Sequence, residues 1–111
     1  MGRIEEYSQY VEEIIKQCAQ YKPAYGDVEI QTVFDKANHH YQLLTVGWDG
    51  DERIRGCVMH LDLKGGKIWI QHDGTEDGIA NELIAKGVPK QNMVLAFHEP
   101  FRRTFTDFAP N

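Results

Sequence analysis

The chain has 111 residues, of which 41% are hydrophobic and 26% charged, and its formal net charge is −5. This length fits a single domain, residues 1–111, with a modest hydrophobic core. No stretch approaches the roughly 18 apolar residues that a membrane span needs. The acidic balance argues against unaided binding of duplex DNA, because that affinity comes mostly from neutralising phosphates.

The N-terminus and the cysteines favour a cytoplasmic protein. The opening stretch MGRIEEYSQY has acidic residues where a secretory signal needs an apolar segment. Cys18 and Cys57 lack C-x-x-C spacing and fall in different predicted elements. We therefore predict two free thiols in a reducing compartment rather than a disulfide.

Residues 3–21 are predicted to form an amphipathic helix that covers a sheet. Apolar side chains recur there at three- and four-residue spacing, whereas glutamates occupy the other side. The apolar positions are Ile4, Tyr7, Val11, Ile14, Ile15 and Cys18. Pro23 and Gly26 then end the helix and turn the chain.

From residue 27 to residue 73 the pattern changes to strands separated by turn signals. The predicted strands are 28–34, 40–48, 53–64 and 67–73. Asp49 and Gly50 mark one tight turn, and Gly65 and Gly66 form a strong two-residue hairpin signal. Strands joined by such short turns predict a four-stranded antiparallel meander.

The central strands carry apolar side chains on both faces. Two helices in a chain of this size do not cover both, so we predict that the second face meets a partner or another copy of the chain. Trp48, Met59 and Trp69 are the expected anchors of that interface. The alternative is that the Phe-rich C-terminal tail covers the face. The partner surface would then lie at Glu76 and Asp77 or around Arg102 and Arg103.

Residues 75–87 are predicted to form a second helix and 93–97 a short strand. Thr75 is the expected N-cap, and Glu76 and Asp77 suit the first turn of the helix. Gly87 is placed as the C′ glycine, with Pro89 just beyond it. The predicted fold is therefore α+β: an N-terminal helix, a four-stranded antiparallel meander, a second helix and a short terminal strand.

The stretch WIQHDGTED (69–77) concentrates one histidine and three acids. Capping and the helix dipole explain Thr75, Glu76 and Asp77 without any chemistry. Consecutive residues of a helix project about 100° apart, so Glu76 and Asp77 are not expected to bind the same ion by themselves. His72 and Asp73 read as a polar pair at a strand end.

A second candidate for metal binding lies on the predicted hairpin. His60 and Asp62 share one face of the third strand, and His72 on the fourth strand comes near them across the Gly-Gly turn. These three residues support an alternative function, a small metal-dependent hydrolase or nuclease accessory. Nucleotide-binding, G-x-S-x-G and H-E-x-x-H motifs are absent from the sequence. Our main prediction from the sequence therefore assigns no catalytic, cofactor-binding or metal-binding residues.

The segments together resemble a known family. The order of GDVEIQTVFD, YQLLTVGWDG, RIRGCVMHLDLKGGKIWIQHDGTEDGIANELIAKGVPK and VLAFHEPFRR is similar to that of the XisI-like family, the fdxN-element excision controlling factors. The resemblance runs over residues 4–109. The combinations VGWDG, ELIAKGVPK and FH-x-PF-R-R are long and unusual, which makes it specific.

The resemblance implies both a fold and a role. It implies a small α+β protein of heterocyst-forming bacteria that acts in a programmed DNA rearrangement. With an XisH-like companion, such a protein is needed for a site-specific recombinase to excise a DNA element. No catalytic residue set is assigned to the family. The resemblance therefore implies a non-enzymatic regulator with an XisH-like partner.

Overall fold

An amphipathic helix, α1 (Arg3–Cys18), opens the computed structural model, which describes residues 3–20, 26–75 and 78–111. Its apolar stripe is buried, as its spacing predicted: Tyr7, Val11, Ile14 and Ile15. The helix ends at Cys18, three residues before the predicted limit, and its chain continues through a turn. Pro23, the predicted terminator, lies outside the described residues.

In the described part of the chain, five strands follow, and they form one sheet in the order β1-β2-β3-β4-β5. Their bounds are β1 (Asp27–Asp35), β2 (His40–Asp49), β3 (Glu52–Lys64), β4 (Lys67–Asp73) and β5 (Met93–Leu95). The first four pair antiparallel through short turns, as predicted. Gly65 and Gly66 have φ angles of 60° and 76°, which a type I′ hairpin turn requires at both central positions.

The fifth strand corrects the predicted topology. β5 pairs parallel to β4, with Ile68 opposite Met93 and Ile70 opposite Leu95. The sheet is therefore a five-stranded mixed sheet and not a four-stranded antiparallel meander with a separate terminal strand. A parallel neighbour needs a long crossover connection, and the segment that contains the second helix provides it. β5 is also two residues shorter than predicted.

The hydrophobic core lies between the helices and one face of the sheet. Its sheet side chains include Tyr41, Leu43, Leu61, Ile68 and Ile70. Met59 belongs to this core and has no exposed surface. The prediction that placed Met59 on the second face was wrong, because alternation along β3 puts it on the same side as Leu61.

A bulge in β3 changes which side chains face the core. Leu43 pairs with Met59 but the next residue, Leu44, pairs with Cys57, so Val58 is the extra residue. An inserted residue reverses the facing of everything beyond it. Cys57 consequently shares the outer face with Leu44, while Met59 points inward. Both Cys57 and Cys18 are free thiols.

The second helix, α2 (Ile79–Ala85), begins later than predicted. Gly78 holds its N-cap position with a φ of 86°, which is not a helical conformation. Thr75 is therefore not the N-cap, although its hydroxyl accepts the backbone N–H of Gly78 at 3.2 Å. The Asp73 carboxylate instead accepts the N–H of Ile79 at 2.8 Å. The predicted first-turn acids, Glu76 and Asp77, lie outside the described residues.

The end of α2 follows the sequence prediction. Gly87 has a φ of 100° and donates its N–H to the carbonyl of Ile84. The N–H of Val88 reaches back to the carbonyl of Leu83 at 3.0 Å. This pair of hydrogen bonds is the Schellman motif, and Val88 is buried beside the helix as the motif favours. The C′ assignment of Gly87 is confirmed.

The C-terminal tail extends the sheet edge and only partly covers the outer face. After the short helix α3 (Pro100–Arg103), Ala109 forms a parallel bridge to Val94. The tail thus protects the β5 edge, where Val94 is buried. Val33 and Trp48 remain exposed on the outer side of β1 and β2. None of the helices in the described part of the chain has the length and apolar character that crossing a bilayer requires.

Candidate functional site

The outer side of β1, β2 and β3, away from α1 and α2, carries the candidate site. We call it the open face. Strand register places two groups of side chains on it. An apolar end holds Leu44, Val46, Trp48 and Cys57, and a polar end holds His40, His60 and Asp62.

Trp48 dominates the apolar end of the open face. Half of its surface is exposed, and the Arg53 guanidinium lies 5.2 Å from the centre of its ring. Leu44, Val46 and Cys57 line an adjacent depression of about 200 Å³. A large exposed aromatic ring beside a shallow apolar hollow is the kind of surface on which protein partners anchor.

Trp69 lies on the same side of the sheet but is partly covered. Its ring nitrogen donates to the Lys64 carbonyl at 3.2 Å. The Lys64 ammonium lies 4.4 Å above its ring, and the Arg103 guanidinium of the tail lies 5.8 Å away. The tail therefore covers the β4 end of this side, as the alternative reading of the sequence expected, and leaves Trp48 uncovered. An interface role for Trp48 and Trp69 stays a prediction.

Asp62 is the centre of the polar end. Its Oδ1 atom lies 2.8 Å from Nδ1 of His40 and 3.0 Å from Nε2 of His60. Its second oxygen accepts the side-chain amide of Gln71 at 3.1 Å. The three strands β2, β3 and β4 thus each contribute a side chain to one carboxylate. The cluster opens into a depression of about 390 Å³ that Asp35 also lines.

This cluster differs from the sequence-predicted set His60, Asp62 and His72. The strand register does set His72 opposite His60, but His72 is exposed and stands outside the group whose donor atoms converge. The third member is His40, which begins the predicted strand 40–48 but was not part of the sequence-predicted set. His40 is the first residue of β2, and register places it opposite Asp62. The antiparallel pairing of strands two and three was the signal that could have identified it.

The pKa of His40 is raised above its usual value by its contact with Asp62. Its hydrogen bond to Asp62 and the charge of that carboxylate raise the pKa of the His40 ring. A histidine whose pKa is raised on folding adds stability below its unfolded pKa of about 6.5 and loses it as pH rises through the folded value. Two-dimensional NMR of the imidazole protons, in buffer with EDTA, measures this pKa directly. Asp62→Asn should return it toward 6.5, whereas an unmoved pKa would show that Asp62 is not its cause.

The other predicted polar residues have structural tasks or remain unassigned. Asp73 of the WIQHDGTED stretch orders the turn before α2, since it also accepts the backbone N–H of Thr75 at 2.9 Å. Arg103 donates to the carbonyls of Ala96 and His98, and Arg102 lies near Glu99. These contacts explain Asp73 and Arg103 without a ligand.

Comparison with known proteins identifies the family. The family described as XisI protein matches residues 1–110. A crystal structure of a XisI-like protein from Anabaena variabilis ATCC 29413 is 38% identical, with a TM-score of 0.89 over 94% of this chain and 95% of that chain. The fdxN element excision controlling factor XisI from the same organism is 31% identical, with a TM-score of 0.86 over 98% and 99%. No curated protein matches the chain. The resemblance predicted from the sequence is confirmed, and this chain belongs to the XisI protein family.

Proposed function

We propose that this protein is a non-enzymatic regulator that controls excision of a DNA element. The observation that carries the proposal is its similarity, over nearly the whole length of both chains, to a protein named as the fdxN element excision controlling factor. A regulator of this kind acts by binding other proteins. The net charge of −5 agrees with such a role, because it disfavours independent binding to DNA.

The regulator would act in the cytoplasm with an XisH-like protein, and through it on a site-specific recombinase. This part of the proposal rests on the family resemblance. The hydrolase alternative is weaker, because His72 stands outside the cluster on which that alternative depended. Its remaining residues open to solvent without an enclosed substrate pocket around them.

We further propose that the apolar end of the open face binds a second copy of this chain. Three parallel rows of side chains support this choice. The row on β1 is acidic, the row on β2 is apolar and the row on β3 is basic. Strand register sets the three rows side by side: Asp27 and Glu29, Trp48 and Val46, Arg53 and Arg55.

A two-fold axis parallel to β2 would superpose these rows favourably. Rotation about that axis lays β1 of one copy over β3 of the other. Acidic side chains then face basic ones on both sides, and the two Trp48 rings meet in the middle. Such self-complementarity is what a two-fold interface requires. A second copy therefore fits this surface by both charge and apolar character.

Co-purification tests the regulatory proposal. The tagged chain, co-expressed with an XisH-like protein, should retain that protein at near-equal amounts through size-exclusion chromatography. Deleting the gene for this chain should also stop excision of a reporter element by the matching recombinase. A tagged protein of similar size and charge serves as the control. Normal excision without the chain, with no retained XisH-like protein, would overturn the proposal.

A further inference from the structure

We propose that His40, His60 and Asp62 form a binding site for a divalent transition metal ion, with Zn²⁺ as the probe of choice. This inference is independent of the proposed regulatory role. It departs from the sequence prediction, which gave no metal site as the main interpretation and named His72 rather than His40 as the third residue of the alternative one. The convergence of the three donor atoms is the observation that carries it.

The donor set suits zinc chemically. The ligand atoms of the three side chains all lie within 4.8 Å of one another. Two ligands of a tetrahedral zinc ion, each roughly 2.0–2.1 Å from the metal, are about 3.3 Å apart. The present separations of 2.8 Å and 3.0 Å from Asp62 Oδ1 thus need to open by only a few tenths of an ångström. Imidazole and carboxylate groups are ordinary zinc ligands.

The surrounding side chains favour the ion over a simple hydrogen-bonded cluster. Gln71 holds the second oxygen of Asp62, which orients the carboxylate and leaves Oδ1 for the metal. An outer partner of this kind typically supports a metal ligand. Asp35 lines the same depression and adds a second negative charge. Because all ligands but His40 are mostly covered, the strands set their positions, and the exposed side leaves room for a water as fourth ligand.

The geometry implies a small rearrangement on binding. Both histidines lie within hydrogen-bond distance of Asp62 Oδ1. Zinc takes the place of the protons between these atoms, since a ligating imidazole offers a bare nitrogen to the metal. Each ring turns slightly and the strand register remains unchanged.

Titration of the tag-free protein with Zn²⁺ by calorimetry tests the proposal. We expect one ion per chain, and a loss of affinity of more than tenfold in His40→Ala and in Asp62→Asn. Gln71→Ala should weaken binding by about tenfold, because it removes the support of the carboxylate. Replacing Zn²⁺ with Co²⁺ should give an absorption spectrum without a thiolate charge-transfer band. His40 is more than half exposed, so His40→Ala should retain the fold.

His72→Gln is the matched control, since this histidine lies on the same side opposite His60 but outside the cluster. The His72→Gln variant should bind Zn²⁺ with the same affinity as the unmodified chain. The proposal would be overturned if His40→Ala bound Zn²⁺ as tightly as the unmodified chain does. It would also be overturned if His72→Gln lost as much Zn²⁺ affinity as His40→Ala. A loss of binding in Cys57→Ser would overturn it as well, because that result would assign the ion to the exposed thiol.

Discussion

Met59→Ala should lower the free energy of unfolding by about 2–5 kcal/mol, the range found for truncating a large buried aliphatic side chain. Met59 has no exposed surface and belongs to the core beneath α1. It pairs with Leu43 across the sheet, next to the bulge at Val58. Removing its side chain leaves a cavity that the closely packed strands do not fill. Urea denaturation followed by far-ultraviolet circular dichroism measures the change.

Val33→Ala is the comparison for Met59→Ala. Val33 lies on the open face of β1, where its side chain is 44% exposed. We expect its truncation to change the free energy of unfolding by less than about 0.5 kcal/mol. Both variants should be measured at low protein concentration, so that association does not contribute to stability. A loss below about 1 kcal/mol for Met59→Ala, equal to that of Val33→Ala, would contradict the core position of Met59.

The sequence predicted most elements because their side-chain periods are unambiguous. The stripe of α1 and the alternation of β1 to β4 each bury an apolar set, and the paired glycines at 65 and 66 dictate a hairpin. Gly87 was also correctly placed, since few residues other than glycine adopt its positive φ readily. Local chemistry decides each of these features, so a sequence reveals them.

The errors have a common physical origin in long-range pairing. The bulge at Val58 depends on how β3 aligns with β2, and the parallel direction of β5 depends on where the chain crosses after α2. The start of α2 was misplaced because Thr75 looks like a good cap in isolation. The backbone angle of Gly78 and the reach of Asp73 from β4 decide the actual start.

The candidate site was incompletely predicted for the same reason. His60 and Asp62 are two residues apart on one strand, so their shared face follows from alternation. His40 is 22 residues from Asp62, and only the β2–β3 register brings the two together. The predicted partner His72 does share the face, yet its ring does not join the converging donors. Spacing along one strand therefore predicts which side chains share a face. Finding ligand residues on neighbouring strands also requires the register between those strands.

Trp48→Asp should weaken self-association by at least about 30-fold, corresponding to the loss of a central aromatic anchor worth roughly 2 kcal/mol. Trp48 is half exposed at the apolar end of the open face, so the fold does not depend on its burial. A carboxylate there would meet its counterpart from the second copy in a desolvated contact. Analytical ultracentrifugation over a range of concentrations measures the dissociation constant, and thermal unfolding checks the fold.

Exchanging two charges distinguishes the proposed pairing from nonspecific hydrophobic association through Trp48. Arg55→Glu should weaken association by about tenfold or more, because Glu29 of the second copy would then face a like charge. The double variant Glu29→Arg with Arg55→Glu restores opposite charges in the two-fold arrangement and should recover most of the affinity. Ile84→Asp, an exposed position on α2, is the control and should leave association unchanged. The pairing of acidic and basic rows would be excluded if the unmodified chain were a monomer at every concentration. It would also be excluded if the double variant did not recover the affinity of self-association.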